Sequence, residues 1–134
     1  MLPALLDTDV LSEFFRGNPK VIAKVDAYLK EHKVISVSVI TYYEVLNGLL
    51  YKDARNLLDR LTVFAIENQV FPLTKRMAEE AAGIQAALRR RGQVISHTDT
   101  LIAGTAIVGG FELVSNNTAH FNRIKGLALA NWTK

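Results

Sequence analysis

Leu2-Pro3-Ala4-Leu5-Leu6-Asp7-Thr8-Asp9 is the stretch on which the fold turns. An apolar run without alternation is the pattern of a strand buried on both faces, and here it ends where three polar residues arrive together. Helical spacing begins at about Val10. A strand, a polar turn and a helix within fifteen residues open an α/β fold.

The alternation continues outward from that point. Gly17-Asn18-Pro19 breaks the chain, and Val21, Ile22, Val25 and Leu29 then recur at helical spacing up to His32. Val34 to Ser38 is rich in β-branched residues and reads as a second strand, followed by a helix over about 39–50 and another over about 53–64. A third strand, Val70 to Leu73, leads to Thr74, the expected N-cap of a long Ala-rich helix that ends at Arg89-Arg90-Arg91 with Gly92 just past it. Ser96-His97-Thr98-Asp99 opens a helix of small and apolar residues closing at Gly109-Gly110, a composition suited to tight packing on most sides. Glu112 to Ser115 gives a fourth strand, with a fifth expected before Trp132. The expected architecture is an α/β sandwich around a mostly parallel sheet.

A chain of 134 residues has the length of one domain, so residues 1–134 are read as a single unit. Hydrophobic residues at 49% and charged residues at 22% exclude disorder and membrane insertion as classes, since no apolar run approaches the ~18 residues of a span. The absence of cysteine removes disulfide scaffolds, thiolate zinc sites and cysteine nucleophiles together, and with no basic leader before Asp7 the expected setting is cytoplasmic. A net charge of +3 is compatible with a polyanionic partner and too mild to identify one.

In open parallel sheets, ligands collect outside the carboxyl ends of the strands, where Asp7 and Ser115-Asn116-Asn117 both fall. Three carboxylates draw attention: Asp7 at a strand end, Glu44 on a helix with few other charges, and Asp99 in a first helical turn. Each also has a structural reading, as a cap, an exposed helix acid and a dipole-complementing acid. Gathered together they would repel, and a hard divalent cation with oxygen ligands is the simplest compensation. Two such ions can activate a water and stabilise the leaving oxygen of a phosphoryl displacement.

These residues resemble the PIN-domain ribonucleases, and within them the VapC-type toxins of toxin–antitoxin pairs. The resemblance runs from Leu6-Asp7-Thr8-Asp9-Val10-Leu11 through Ser38-Val39-Ile40-Thr41-Tyr42-Tyr43-Glu44-Val45-Leu46-Asn47-Gly48. It is densest at Asp99, Ile102-Ala103, Leu113-Val114-Ser115-Asn116-Asn117, His120-Phe121, Gly126-Leu127 and Trp132. It implies a PIN-like α/β/α sandwich and a Mg²⁺- or Mn²⁺-dependent endoribonuclease leaving 5′-phosphate and 3′-hydroxyl ends. It further implies that Asp7, Glu44, Asp99 and Asn117 are the catalytic and metal-holding residues, with Thr8, Ser115 and Asn116 as substrate contacts. Asn117 stands where a fourth acid is often found, so a second ion is expected to be held weakly. Asp9 stands where a neutral residue is common and is expected to cap the following helix, a supporting carboxylate being its other reading. A homodimer and a VapB-type antitoxin covering the active-site groove are also implied, with Phe14-Phe15 and the apolar run from Tyr42 to Tyr51 as candidate contacts.

Arg89-Arg90-Arg91 suits the negative end of a helix dipole or, alternatively, an RNA phosphate, and Arg16, Lys20, Lys24, Arg123 and Lys125 are further phosphate candidates. His97 and His120 are expected in structural or surface roles. Leu5-Leu6-Asp7-Thr8-Asp9 also resembles the D-x-D strand end of haloacid-dehalogenase-type phosphatases, but no acid follows Glu112 to complete that mechanism. The other alternative is a PIN-like module that binds RNA or antitoxin with little turnover.

Overall fold

The computed structural model describes the whole chain, Met1–Lys134. Its elements in order are β1 (Ala4–Leu6), α1 (Thr8–Phe15), α2 (Pro19–His32), β2 (Ser36–Ser38), α3 (Val39–Tyr51), α4 (Arg55–Glu67), β3 (Gln69–Phe71), α5 (Lys75–Arg90), α6 (His97–Gly109), β4 (Glu112–Val114), α7 (Thr118–Phe121) and β5 (Leu129–Ala130). The five strands form one sheet in the order β3-β2-β1-β4-β5, and every pairing is parallel. The expected α/β/α architecture is present, and the sheet is parallel throughout.

Side chains alternate across a strand, and the central strands show what this does. Ala4 and Leu6 of β1 join one apolar cluster, while Leu5 between them joins another. Val114 and Leu113 of β4 divide in the same way. The first cluster takes Val10, Val25, Val45 and Leu61 from α1 to α4, and the second takes Leu88, Ile102 and Phe121 from α5 to α7. Two helical layers therefore cover the two faces of a sheet that is apolar on both.

Local chemistry places the element ends. Asn18 accepts the Lys20 and Val21 N–H groups to start α2, with Pro19 in its first turn. Thr74 caps α5 through the Met77 N–H, and Gly110, at φ 74°, stops α6, both as expected. The helix expected from Val10 starts at Thr8, because Asp7 supplies the cap two residues earlier. The helix expected from Asp53 starts at Arg55, because Asp53 is left-handed at φ 51° and cannot sit in a helical turn. The four-residue α7 was not expected, being too short to display a 3.6-residue period.

In α6, a Cβ added to Gly104 would come within 2.6 Å of the Met77 carbonyl oxygen. The α5 and α6 backbones therefore touch, as the small-residue composition of α6 implied. No helix is long and apolar enough to cross a membrane.

Candidate active site

Asp7 lies at the junction of β1 and α1. Its N–H donates to the Val114 carbonyl at 2.9 Å, so the β1–β4 pair fixes its backbone. Oδ1 accepts the Thr8 N–H at 2.8 Å as a helix cap, and Oδ2 accepts the Ser115 hydroxyl at 2.8 Å. Ser115 in turn accepts the Asn117 N–H at 3.0 Å, and its own N–H is tied to Ala130 of β5. The connections after β1 and β4 leave in opposite directions along the sheet, which opens a crevice at their carboxyl ends. Asp7 and Ser115 line it.

Asp7 is only 5% exposed. Burial first, then the charges of Asp9 and Asp99, push its carboxyl up to about 7, against the hydrogen bonds from Ser115 and Thr8 that favour the anion. Asp9 is also raised, chiefly by burial. Asp9 does not cap α1, since Asp7 already does. It accepts the Asn116 N–H at 3.1 Å through Oδ2, and its Oδ1 is buried with no hydrogen-bond partner.

Glu44 reaches the same region from α3. The Thr8 hydroxyl lies 2.6 Å from its Oε1, a short charge-assisted bond, and 3.3 Å from the Thr41 hydroxyl. Ser38 caps α3 on the Thr41 N–H, so the turn that aims Glu44 is fixed to the end of β2. Asp99 enters from the first turn of α6, its N–H held by Ser96 Oγ at 3.1 Å. Its Oδ2 lies 3.4 Å from Nδ1 of His120, and that nitrogen is 2.9 Å from Nδ2 of Asn117. With the ring neutral and its proton on Nε2, Asn117 donates to Nδ1; a proton on Nδ1 turns that nitrogen toward Asp99 instead. In the first of these forms the nitrogen end of Asn117 is engaged by His120, and its carbonyl end is left for a ligand.

All four expected catalytic residues therefore reach the carboxyl edge of the sheet, on four separate elements. They do not close into a cage: no three His, Cys, Asp or Glu side chains stand near enough to hold one metal ion among them. The donors nonetheless fit a small hard cation. Mg²⁺ takes one or two carboxylates and keeps several waters, and every donor here is an oxygen. Asp7, raised first by burial and further by two neighbouring acids, and the unpartnered oxygens Asp9 Oδ1 and Asn116 Oδ1 mark a deficit of positive charge at this spot. His97 is exposed at the start of α6, outside this constellation.

The family description "PIN domain" matches residues 4–127. The chain belongs to the PIN domain family. Among curated PIN-domain relatives, it is 30% identical over 136 residues to the VapC ribonuclease Y4jK of Sinorhizobium fredii, covering 95% of each chain. Among solved structures it resembles a chain of the DNA-bound VapBC of Salmonella typhimurium, with a TM-score of 0.86, 27% identity and coverage of 98% of this chain and 99% of that one. The VapBC2 complex of Rickettsia felis bound to a promoter fragment shares the fold at a TM-score of 0.88 and 24% identity, over 96% and 98% of the two chains.

Within this PIN domain, two contributors escaped the reading of the sequence, and a third, Asp9, was expected chiefly as a cap. Thr41 looks like an ordinary helix residue until Thr8 is placed against it, and His120 lies 21 residues from Asp99 with no spacing that announces contact. Asp9 carried the one available signal, a second acid two residues after Asp7.

Proposed function

We propose that this PIN domain, residues 1–134 acting as one unit in the cytoplasm, is a VapC-type toxin: a Mg²⁺- or Mn²⁺-dependent endoribonuclease that leaves 5′-phosphate and 3′-hydroxyl ends. The observation that carries the proposal is the buried, raised Asp7 at the β1–β4 crevice with Glu44 and Asp99 brought toward it. Similarity to relatives named as VapC ribonucleases supports the same reading. Asp7, Asp99 and the carbonyl end of Asn117 would hold the ion, with Glu44 reaching it from the α3 side. When bound, the ion lowers the pKa of water and neutralises charge at the phosphate.

The chain's own groups do the remainder. A bound cation would favour the ionised form of Asp7, and the Asp7 and Glu44 carboxylates would be acceptors for a proton leaving water. Thr8 orients Glu44 and Ser115 orients Asp7, while the backbone amides of Asn116 and Asn117, taken up by Asp9 and Ser115, fix the chain at the edge of the crevice. Arg91 donates to the Arg123 carbonyl at 3.0 Å, which joins the basic end of α5 to the segment after α7 and gathers Arg91, Arg123 and Lys125. These three offer contacts for the RNA backbone.

The antitoxin reading is supported by similarity to chains solved as VapBC complexes. An apolar groove of about 520 Å³, lined by Phe14, Phe15, Val25, Leu29, Val63 and Phe64, lies among α1, α2 and α4. Its form suits the apolar face of an amphipathic helix. A homodimer finds support in Tyr43, Leu50 and Tyr51 of α3, which are 61%, 59% and 91% exposed.

The test is cleavage of a structured RNA pool by antitoxin-free protein in Mg²⁺ and then Mn²⁺, with mapped ends. Metal-dependent cuts bearing 5′-phosphates, absent from Asp99→Asn, are expected. Cleavage that persists in excess EDTA overturns the metal mechanism. A second reading, a PIN module that binds RNA or antitoxin without turnover, is favoured by Asn117 and by the open arrangement of the acids; it is supported if folded protein binds RNA and cuts none with either ion.

A further inference from the structure

We infer that Asp9 is a positioning residue of this site, latching the Ser115–Asn117 segment onto α1 and supplying the negative charge that Asn117 lacks. The inference rests on the divalent-metal reading above and adds a residue to it. After β4, each of three consecutive residues is tied to a different partner: Ser115 to Asp7, Asn116 to Asp9 and Asn117 to His120. Asp9 grips the middle one through its backbone N–H, so the placement of both neighbours depends on it.

The carboxylate is more than that grip requires. α1 is capped by Asp7, and an Asn at position 9 would accept the Asn116 N–H equally well through its carbonyl while burying no charge. Instead the second oxygen, Oδ1, is buried and in no formed hydrogen bond, the nearby Val10 and Asp9 N–H groups only favouring the anion, and Oδ1 of Asn116, the residue it holds, is also buried and unpartnered. Buried acceptors left without a donor are costly, and a buried anionic one more so. That both residues of one hydrogen-bonded pair carry such an oxygen points to a positive charge that completes them. Asn117 contributes no charge, whereas Asp9 enters the crevice from the facing helix and restores the count of four acids.

The experiment is Mn²⁺ titration of the metal-free protein by electron paramagnetic resonance, with amide exchange of Asn116 measured in parallel. Asp9→Asn should keep Asn116 protected while weakening Mn²⁺ about tenfold, the lower end of what loss of a supporting group costs a metal site. Asp9→Ala should lose the metal affinity and also speed Asn116 exchange. Adding Asn117→Asp to Asp9→Asn should recover most of the Mn²⁺ affinity, which a purely structural role would not allow. Mn²⁺ binding as tight in Asp9→Asn as in the unsubstituted protein, or unchanged Asn116 exchange in Asp9→Ala, overturns the inference alone. No Mn²⁺ binding by the unsubstituted protein overturns the metal reading and this inference with it.

Discussion

The Thr8 hydroxyl stands 2.6 Å from Oε1 of Glu44, joining the first turn of α1 to the middle of α3 across 36 residues of sequence. One small side chain therefore sets the direction of an acid that its own helix leaves half-exposed. Thr8→Val keeps the shape and removes the bond. Single-turnover RNA cleavage should fall about 10- to 100-fold, as for other groups that orient a metal-site ligand. Urea unfolding should register a loss on the order of 1 kcal/mol, and Thr8→Ser should recover most of the rate.

Asp7 predicts a pH dependence of stability. Its folded-state carboxyl is raised from 3.8 to about 7, so between those values the folded protein holds a proton that the unfolded chain has released. Stability of the metal-free protein from this group is complete below about pH 4, falls as pH rises, and is lost above about 7. Asp7→Asn keeps the cap through its carbonyl and turns the Ser115 bond around, the amide N–H donating to the hydroxyl oxygen, without the charge. In EDTA it should melt at a higher temperature than the unsubstituted protein at pH 8, by a few kcal/mol of stability at most, with the gap closing toward pH 4. Mg²⁺ or Mn²⁺ should narrow the same gap at pH 8 by stabilising the unsubstituted protein.

Gly104 and Gly83 make a paired test of helix packing. Alanine at Gly104 meets the Met77 carbonyl at 2.6 Å, a backbone atom that cannot swing aside, and should cost about 2 kcal/mol despite the better helix propensity. Alanine at Gly83 meets nothing within 4 Å and should stabilise by about 0.5–1 kcal/mol. Denaturant unfolding of the two variants reads the difference in sign.

The basic group at the end of α5 predicts a salt effect. Replacing Arg91 and Arg123 with glutamine should weaken RNA binding similarly for all sequences. The plot of log affinity against log salt should become shallower by about one for each phosphate that is no longer neutralised. Filter binding between low and moderate salt measures it. Arg16, held by Glu13 at 2.6 Å, should contribute less when replaced in the same way.

The layered α/β architecture was legible because burial on both faces of β1 and β4 leaves continuous apolar runs, and because Thr74 and Gly110 mark helix ends by local chemistry. Strand lengths were less legible. Val34 is exposed and Leu73 lies beyond the last β3 pair, so apolar character continued past the hydrogen-bonded ladder. Asp7 and Asp99 were legible as acids at a strand end and in a first helical turn, and Glu44 as an acid on a helix with few other charges. Their partners were not, since the bonds from Thr8 to Glu44, Asp9 to Asn116 and Asp99 to His120 join segments 21 to 107 residues apart, a separation no periodicity encodes. Asp9 illustrates the difficulty. A carboxylate in a first helical turn reads as a cap, and only the position of the β4 end shows that it faces elsewhere.

The pairing of β1 with β4 sets the order in which the molecule comes into being. Ala4 must wait for Glu112, and Asp7 for Val114 and Ser115, so the first strand synthesised finds one of its two neighbours only when most of the chain has left the ribosome. Pairings this distant in sequence are slow to close, and synthesis adds only about 5–20 residues per second. A truncated or half-made chain holds Asp7 and Glu44 but lacks Asp99 and the Ser115 hydroxyl that orients Asp7. The proposed active site is thus incomplete until the C-terminal third of the chain is made, which leaves an interval between the start of synthesis and the first possible cut.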